Sequence, residues 1–558
     1  MSVKPSAPSL AGVTPFPLEY AARYRARGYW EDRPLIAHFE EVFRRHADRT
    51  AVIDGDLHLT FRELGERARR VGRNLLDLGI GPLDRILLQL PNGMGFVDLY
   101  FGLQTIGAIP ITALPSHRYR EASQFVRLAE AVATATPRAA KDFSFTEMVA
   151  RLRREVPSLR LAFVDADAAP EGFVRLADLV RREPRHTDAD LARIREGINA
   201  CDPCVLQLSG GTTGVPKLIP RSHNDYPFNS KLAVSVCDVH EGDVLLAPIP
   251  IAHNLPLACP GLQGFLFQGA ATVLTGATRA SDVLPLIERH RVTHLEAVPA
   301  LLISWLNDPL IREVDLSSVR VIQSAAQRTQ PELKLRVERA FANATLQENF
   351  GMTEGLLMFV RLDDPPEVRL ETVGRPICPD DEVRLVDDDG IDVADGETGE
   401  LLARGPYTLR GYFRAPEHNE RAFTPDGFYR SGDLMRRHPS GSYVVEGRKK
   451  DVINRGGEKI SAEEVENLIL AHPAVRNVAC VAMPDPVLGE RMCACVILHP
   501  GASLTLEELT RYLRAEEIQV QKLPERLEIV GSFPLSPIGK VSKKDLAAMV
   551  AKKVEASS

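Results

Sequence analysis

The chain has 558 residues, of which 44% are hydrophobic and 26% charged, and 68 Lys and Arg residues stand against 75 Asp and Glu residues for a formal net charge of −7. These proportions are those of an ordinary globular protein, which excludes a fibre and a disordered chain. A mean hydropathy of −0.12, the absence of any apolar run of about 20 residues and the net negative charge argue against a membrane protein and against a nucleic-acid-binding protein.

The first 30 residues are interpreted as an extended leader punctuated by prolines. Amphipathic helices are predicted over 36–43 and 64–78, the second of them preceded by the capping box Thr60-Phe-Arg-Glu63. From residue 85 onward apolar strands alternate with helical periodicity, which is typical of an α/β protein with parallel sheets. The predicted strands are 85–90, 108–113, 161–164, 205–208, 244–247, 271–274 and 319–322.

The pattern changes after Glu382, where short strands separated by turns rich in Asp and Gly predict an antiparallel or barrel-like segment that ends near Glu446. A run of Gly and charged residues at 447–451 then leads into a last unit with its own βα pattern. The sequence therefore predicts a domain boundary at about 447–451.

The strongest local signal is a loop rich in Ser, Thr and Gly, which follows the predicted strand 205–208. It reads Ser209-Gly210-Gly211-Thr212-Thr213-Gly214-Val215-Pro216-Lys217. Glycine lets a backbone approach a ligand closely, hydroxyls and N–H groups donate hydrogen bonds, and lysine adds a point charge, so the loop predicts polyphosphate binding. It does not fit the Walker A pattern, because Lys217 follows a proline and precedes a leucine. For the loop alone, a flexible surface turn is the alternative.

This loop resembles the signature of the adenylate-forming superfamily, which includes acyl- and aryl-CoA ligases, peptide-synthetase adenylation domains and luciferase. Five further segments match in the family's order: Phe350-Gly351-Met352-Thr353-Glu354, Tyr429-Arg430-Ser431-Gly432-Asp433, Gly447-Arg448-Lys449-Lys450-Asp451, Arg455-Gly456-Gly457 and Pro534-Leu-Ser-Pro-Ile-Gly539-Lys540. The resemblance implies an α/β fold with a large N-terminal adenylation core, 1–446, made of two βαβ-type subdomains and a small β-barrel-like subdomain. A mobile α+β C-terminal domain, 447–558, would follow.

A narrower resemblance lies in Pro250-Ile-Ala-His253-Asn254-Leu-Pro-Leu-Ala-Cys259-Pro-Gly261. This segment is similar to the acid-binding segment of stand-alone aryl-acid–AMP ligases of the 2,3-dihydroxybenzoate–AMP ligase and salicylate–AMP ligase type, which serve siderophore and other nonribosomal peptide biosynthesis. The resemblance implies ATP-dependent activation of an aromatic carboxylic acid to an aryl-AMP with release of pyrophosphate, and it implies ATP and Mg²⁺ as cofactors.

The acyl group would then pass to a pantetheine thiol. The chain carries no carrier motif of its own, so we expect a phosphopantetheinylated aryl carrier protein acting in trans, with free coenzyme A as the alternative acceptor. An aryl- or acyl-CoA ligase is thus one rival interpretation, and a non-catalytic regulatory protein on an adenylation scaffold is another. The start of the chain has no apolar signal region, and we expect a cytoplasmic protein with no nucleic-acid or membrane partner.

The resemblance also assigns roles to single residues. The residues implied in catalysis are Lys540, His253, Thr353 and Glu354, with Glu354 also the Mg²⁺ ligand. Those implied in ATP binding are Ser209, Gly210, Gly211, Thr212, Thr213, Gly214, Lys217, Gly351, Asp433, Arg448 and Lys540. Lys450 would be the hinge between the domains, and Gly457 would line the path of the pantetheine arm. Those implied in binding the aryl acid are His253, Asn254, Cys259, Ser324 and Ala325.

The acid-binding residues favour salicylate over 2,3-dihydroxybenzoate. Asn254 is expected to hydrogen-bond an ortho hydroxyl, and a weak S–H donor at Cys259 leaves no unpaired polar group beside a bare ring carbon. Ser324 and Ala325 depart from the family's pattern, in which a small apolar residue precedes Gly-Gly-Ala, and Ser324 is expected to face the ring. This departure leaves room for an amino- or hydroxy-substituted aryl acid or a heteroaromatic acid.

Overall fold

The computed structural model describes residues 7–140, 143–209, 217–325, 328–455, 458–485, 488–516, 518, 520–535 and 541–557, with the side chains of 450, 454, 458, 459 and 555–557 excepted. Within these ranges, no helix combines the length and the apolar character that crossing a membrane requires.

The strands alternate with helices along most of the chain, which confirms the predicted α/β class. In chain order the strands are β1 Thr50–Asp54, β2 Leu57–Thr60, β3 Arg85–Leu88, β4 Ile109–Thr112, β5 Ala133–Pro137, β6 Ala139–Ala140, β7 Phe143–Ser144, β8 Leu161–Asp165, β9 Val174–Arg175, β10 Pro203–Leu208, β11 Leu218–Ser222, β12 Val244–Leu246, β13 Ala271–Leu274, β14 His294–Ala297, β15 Val321–Ser324, β16 Thr345–Gly351, β17 Leu357–Phe359, β18 Arg375–Pro376, β19 Glu382–Val386, β20 Thr398–Arg404, β21 Tyr429–Arg437, β22 Tyr443–Arg448, β23 Val452–Arg455, β24 Glu458–Ser461, β25 Val475–Asp485, β26 Gly489–Leu498 and β27 Arg526–Ile529.

The α-helices are α1 Leu18–Ala26, α2 Leu35–Arg45, α3 Phe61–Asp77, α4 Met94–Thr105, α5 Tyr119–Leu128, α6 Phe145–Glu155, α7 Leu176–Arg181, α8 Asp188–Gly197, α9 Asp225–Val234, α10 Asn254–Ala258, α11 Gly261–Phe267, α12 Ala280–His290, α13 Pro299–Leu306, α14 Pro331–Ala340, α15 Pro366–Glu371, α16 Pro416–Ala422, α17 Ala462–Leu470, α18 Leu506–Ala515 and α19 Lys543–Ser557. Short 3₁₀ turns lie at Pro309–Arg312, Lys449–Asp451 and Val520–Lys522.

The largest sheet among the described residues has the strand order β18-β17-β16-β15-β14-β12-β13-β1-β2. The strands from β16 to β1 are parallel to their neighbours, and antiparallel strands close both edges. Parallel strands present their carboxyl ends at one edge of a sheet, which is where ligands bind in α/β proteins. Gly351 ends β16 at this edge, two residues before Thr353.

A second sheet has the order β11-β10-β4-β3-β5-β8-β9 and is parallel except for the hairpin of β10 and β11. Helix α4 is buried on all sides from Phe96 to Thr105, as expected for an apolar helix inside a large core. The turn of the hairpin begins at Ser209 and ends at Lys217, so the predicted phosphate loop joins two paired strands.

The segment after Glu382 forms an antiparallel sheet in the order β19-β20-β21-β22, which confirms the antiparallel prediction. Asp433 on β21 lies opposite Arg448 on β22. The last unit is a sheet of order β24-β23-β26-β25 with β27 beside β26, packed against α17 and α19. The boundary at 447–451 stays a prediction, and the chain crosses it in the 3₁₀ turn at Lys449–Asp451.

Helix α3 shows the predicted capping box. The Thr60 hydroxyl accepts a hydrogen bond from the Glu63 N–H at 3.2 Å, and the Glu63 carboxylate accepts one from the Thr60 N–H at 2.8 Å. The helix ends at Asp77, and Gly79 turns the chain with a φ of +77°, a backbone conformation that suits glycine.

The extended leader predicted for residues 1–30 is wrong in part, because residues 18–26 form α1. Tyr24 on this helix packs against Phe16 and Trp30, with ring centroids 6.3 and 5.4 Å apart. Trp30 Nε1 donates a hydrogen bond to the Pro406 carbonyl at 3.0 Å. Contacts with residues outside the helix therefore stabilise α1. The hydrophobic periodicity of its own sequence is too weak to predict it.

Candidate active site

The phosphate loop is closed at its base by Ser209 and Lys217. The Ser209 N–H donates to the Lys217 carbonyl at 3.0 Å, and the Lys217 N–H donates to Ser209 Oγ at 2.9 Å. The Lys217 ammonium lies 5.7 Å from the centroid of the Tyr412 ring, a cation–π distance. The predicted ligands Gly210, Gly211, Thr212, Thr213 and Gly214 lie outside the described residues.

The Glu354 side chain is buried beside two tyrosines. Tyr412 Oη donates to Glu354 Oε1 at 2.8 Å, and the hydroxyls of Tyr412 and Tyr429 are 3.0 Å apart. Burial raises the pKa of the Glu354 carboxyl, an effect that the hydrogen bond from Tyr412 opposes. Tyr412 thus contacts both Lys217 and Glu354, so the phosphate loop and the predicted metal ligand share one wall.

The backbone around Glu354 is equally constrained. The Leu409 N–H donates to the Glu354 carbonyl at 2.8 Å. Gly355 has a φ of +155°, and a Cβ at this position would stand 2.4 Å from the Thr408 Cα. Only glycine fits there, which explains the Glu-Gly pair in the sequence.

Asp433 and Arg448 form an ion pair next to Glu354. Arg448 Nε lies 2.8 Å from Asp433 Oδ1. The negative charge of Asp433 raises the pKa of the Arg448 guanidinium. The charges of both residues also act on the Glu354 carboxyl, Arg448 lowering its pKa and Asp433 raising it. These three predicted residues therefore form one cluster.

Thr353 is linked to the protein interior by a residue that the sequence analysis did not single out. Arg221 is buried and donates from Nη1 to the Thr353 carbonyl at 3.1 Å. It also pairs with Asp225 at 2.7 Å and donates to Asn229 Oδ1 at 3.3 Å. The available signal was a pair of opposite charges four residues apart, Arg221 and Asp225.

The predicted acid-binding residues Asn254 and Cys259 lie together in α10 and at its end. Asn254 Nδ2 donates to Cys259 Sγ at 3.1 Å, and Asn229 Nδ2 donates to the same sulfur at 2.7 Å. Asn254 Oδ1 accepts a hydrogen bond from Tyr226 Oη at 3.1 Å. Among the described residues, the second N–H of the Asn254 amide has no partner. Burial raises the pKa of the Cys259 thiol to about 12, so the thiol is neutral at physiological pH.

A continuous series of hydrogen bonds joins the two ends of the site. It runs from the Thr353 carbonyl through Arg221 and Asn229 to Cys259, and from there to Asn254. Thr353, which is predicted to contact phosphate, is thereby connected through buried side chains to Asn254 and Cys259, which are predicted to bind the aryl acid.

His253 is half-buried and precedes α10 as its N-cap residue. The next segment is tightly packed, because a Cβ on Gly261 would stand 2.3 Å from the Pro256 carbonyl carbon. The Cys259–Pro260 peptide bond is cis.

Ser324 ends β15 and Ala325 follows it, and both residues are buried. The Ser324 hydroxyl lies 2.6 Å from the Thr329 hydroxyl, and the Thr329 N–H donates to Glu348 Oε1 at 2.6 Å. The hydroxyl is therefore engaged with Thr329, and its contact with an aromatic ring stays a prediction.

The residues predicted for domain motion and for the thioester step are described only in part. Lys450 lies in the 3₁₀ turn Lys449–Asp451, and its neighbour Lys449 pairs through Nζ with Glu400 at 3.0 Å. Gly457 and Lys540 lie outside the described residues.

Comparison with known proteins places these observations in a family. A model of the AMP-binding enzyme family matches residues 39–413, and a model of the AMP-binding enzyme C-terminal domain matches residues 464–540. The chain is 44% identical over 547 residues to the salicylyl-CoA synthase / salicylate adenylyltransferase of a Streptomyces species, with 98% of each chain covered.

The chain is also 44% identical over 540 residues to the salicyl-AMP ligase / salicyl-S-ArCP synthetase of Mycobacterium tuberculosis, with 96% of this chain and 94% of that protein covered. Among solved structures, an apo structure of MbtA from Mycobacterium smegmatis aligns with a TM-score of 0.73 and 40% identity, over 96% of this chain and 99% of that one.

Proposed function

The chain belongs to the family of AMP-binding enzymes, and on this premise we propose that it activates an aromatic carboxylic acid of the salicylate or 2,3-dihydroxybenzoate type. The acid displaces pyrophosphate from ATP to give an aryl-AMP. The observation that carries the proposal is the hydrogen-bonded series from Thr353 through Arg221 and Asn229 to Cys259, because it joins a nucleotide end and an acid end.

In the first half-reaction a carboxylate oxygen attacks the α-phosphorus of ATP, and pyrophosphate leaves on the opposite side. Negative charge spreads over the phosphate oxygens, so catalysis depends on positioning and on cations. The groups that would contact the α-phosphate and the leaving pyrophosphate are the side chains of Lys217, Thr353 and Lys540. Ser209 and the loop that follows it would hold the β- and γ-phosphates.

The ion pair of Asp433 and Arg448 would bind the ribose of the nucleotide. An ionised carboxylate accepts two hydrogen bonds from neighbouring hydroxyls, and Arg448 at 2.8 Å fixes the orientation of that carboxylate.

Magnesium would enter with ATP. In such sites Mg²⁺ is held by one or two carboxylates together with the substrate phosphates. Glu354 fits this role, because it is a hard oxygen donor beside the phosphate loop and Tyr412 fixes one of its oxygens.

In the second half-reaction a pantetheine thiol attacks the acyl carbon, and AMP leaves. We propose an aryl carrier protein as the thiol donor, with Lys450 as the hinge and Gly457 on the path of the pantetheine arm. Free coenzyme A is the second candidate. It is supported by the similarity of this chain to a protein named salicylyl-CoA synthase from a Streptomyces species. Supplying each acceptor separately, and measuring the thioester formed on each, decides between them.

The proposal is tested by pyrophosphate exchange into ATP, measured with and without salicylate and 2,3-dihydroxybenzoate. We expect exchange only when an aryl acid is present. Replacing Arg448 by Ala should lower kcat/KM for ATP by about 10- to 100-fold, since a hydrogen bond to a charged group contributes about 1.5–3 kcal/mol.

The Arg437→Ala variant serves as the matched control, because Arg437 lies on the same sheet and pairs with the exposed Asp395. It should leave kcat/KM unchanged. Exchange that does not depend on an aryl acid would overturn the proposed activity. A lack of exchange with every acid would favour the non-catalytic regulatory alternative.

A further inference from the structure

A row of buried polar side chains lies behind the acid-binding segment. Glu296 on β14 is in register with Gln323 on β15, which is in register with Gln347 on β16. Asn349 follows Gln347 by two residues on β16. Because side chains alternate between the faces of a sheet, Glu296, Gln323 and Asn349 lie on one face.

Each of these three side chains has a buried polar atom without a hydrogen-bond partner among the described residues. The atoms are Glu296 Oε2, Gln323 Oε1 and Asn349 Nδ2. Glu296 and Gln323 are 0% exposed, and Asn349 is 6% exposed. Buried polar groups are paired as a rule, so these three atoms on one face need a partner that the described residues do not supply.

The remaining polar atoms of Glu296 and Gln323 are held by the protein. Glu296 Oε1 accepts a hydrogen bond from the Gly261 N–H at 3.1 Å. Gln323 Nε2 donates to Cys237 Sγ at 2.9 Å and to Gln347 Oε1 at 3.3 Å. The side chains are therefore fixed in place, and each presents its unpaired oxygen.

This row adjoins the acid pocket. Gly261, which binds Glu296, is separated from Cys259 only by the cis proline. Glu296 is also close enough to Cys259 to raise the pKa of its thiol, although burial is the larger cause. The polar face and the two acid-binding residues Asn254 and Cys259 thus belong to one region.

The order of the strands sets the direction of a bound acid. Thr353 and Glu354 follow β16, and β14 lies two strands away, which is roughly 10 Å at the usual strand spacing. If the carboxylate of an acid faced Thr353 and its ring extended toward β14, the ring edge opposite the carboxylate would face Glu296.

We propose that Glu296 and Gln323 form a polar subsite at the end of the acid-binding region away from Thr353, and that the preferred acid is a salicylate ring with a second hydrogen-bonding substituent, a hydroxyl or an amino group, at position 4 or 5. This inference rests on the proposed function. It deepens that function by naming the substrate class, since unsubstituted salicylate leaves the unpaired oxygens of Glu296 and Gln323 without a partner.

The protonation of Glu296 fits such a substituent. Burial raises the pKa of this carboxyl to about 8, so at neutral pH it is mainly protonated and both donates and accepts. A hydroxyl or an amino group also does both, whereas a bare C–H edge does neither.

The test is pyrophosphate exchange with salicylate, 2,3-dihydroxybenzoate and the 4- and 5-hydroxy- and amino-salicylates. We expect kcat/KM for at least one 4- or 5-substituted acid to exceed that for salicylate by about tenfold or more, because a site built for a polar group rejects analogues that lack it. In Glu296→Ala this ratio should fall to near one, and Glu296→Gln should retain part of it.

The matched control is Thr134→Val, which removes a buried hydroxyl without a partner in the described part of the other sheet. It should leave the ratio unchanged. A wild-type preference for salicylate or 2,3-dihydroxybenzoate overturns the inference and leaves the proposed function intact. The inference is also overturned if a folded Glu296→Ala protein keeps the wild-type ratio of kcat/KM for the substituted acid to that for salicylate. If that variant does not fold, the same ratio in Glu296→Gln and in the wild type decides. If none of the acids supports pyrophosphate exchange, both proposals are overturned.

Discussion

Single side chains among the predicted acid-binding residues are hydrogen-bonded to protein partners. Cys259 Sγ accepts hydrogen bonds from Asn229 and Asn254, and Asn254 accepts one from Tyr226. The thiol is neutral because burial raises its pKa to about 12. A neutral, weakly polar sulfur suits an apolar ring carbon, so we expect the identity of residue 259 to decide whether the enzyme accepts a 3-hydroxyl group.

Replacing Cys259 by Ser should move selectivity toward 2,3-dihydroxybenzoate. A hydroxyl is a stronger hydrogen-bond partner than a thiol, and we expect the ratio of kcat/KM for 2,3-dihydroxybenzoate to that for salicylate to rise about tenfold, equivalent to about 1.4 kcal/mol. The readout is acid-dependent pyrophosphate exchange. Cys480→Ser, a change of a buried thiol in the C-terminal sheet, is the control. An unchanged or falling ratio at residue 259 contradicts this role.

The Glu296 carboxyl should make the stability of the protein depend on pH. Its pKa is about 8 in the folded protein, against about 4.3 in an unfolded chain. Between these values the folded state binds the additional proton, so this group makes the free energy of unfolding fall as pH rises, by up to about 1.4 kcal/mol per pH unit. The neighbouring thiols of Cys237 and Cys259 stay neutral over this range, because burial raises the pKa of both.

Glu296→Gln cannot ionise and should lack this slope. We therefore expect urea unfolding to show the variant gaining stability relative to the wild type by about 2–3 kcal/mol between pH 5.5 and pH 7.5. Parallel pH profiles for the two proteins would show that Glu296 does not titrate in this range.

Among the elements of the fold, β11 and α9 depend on one ion pair. Arg221 in β11 and Asp225, the first residue of α9, pair at 2.7 Å with side chains 1% and 6% exposed. Arg221 also reaches the Thr353 carbonyl. This pair therefore fixes the strand, the helix and the segment after β16 relative to one another.

Removing one partner of a buried pair leaves an uncompensated charge, so Arg221→Ala should lower the free energy of unfolding by about 3–5 kcal/mol. Denaturant titration measures this directly. Arg175→Ala breaks a largely exposed pair with Asp178 and should change stability by at most about 1 kcal/mol. Equal effects of the two variants would contradict the structural role of Arg221.

The sequence predicted seven of the sixteen described strands in the two mainly parallel sheets, among them 205–208 and 271–274, which are mostly apolar and lie in buried strands. It did not predict α1, whose stability comes from Phe16, Trp30 and distant residues. The contacts of Arg221 and Asn229 also escaped prediction, since they join positions far apart in the chain. The sequence did not single out Glu296 either, because its position beside Gln323 depends on the pairing of β14 with β15.

On the scale of the whole molecule, the chain combines an α/β core with a smaller α+β unit. The predicted boundary at 447–451 includes Arg448, which pairs with Asp433 in the cluster of Glu354, Asp433 and Arg448. Ser461 in the last unit donates a hydrogen bond to the Glu446 carbonyl on the other side of the boundary. The cluster of Glu354, Asp433 and Arg448 therefore lies next to the predicted boundary.

The most direct test of aryl-AMP formation uses salicylate whose carboxylate oxygens are labelled with ¹⁸O. Attack of the carboxylate on the α-phosphorus transfers one labelled oxygen to AMP once a thiol has removed the acyl group. Mass spectrometry should therefore find AMP with a single ¹⁸O in the presence of ATP, the acid and a pantetheine acceptor, and Lys540→Ala should abolish this product. Release of ADP or of labelled inorganic phosphate, or unlabelled AMP alongside the thioester, would contradict activation through an aryl-AMP.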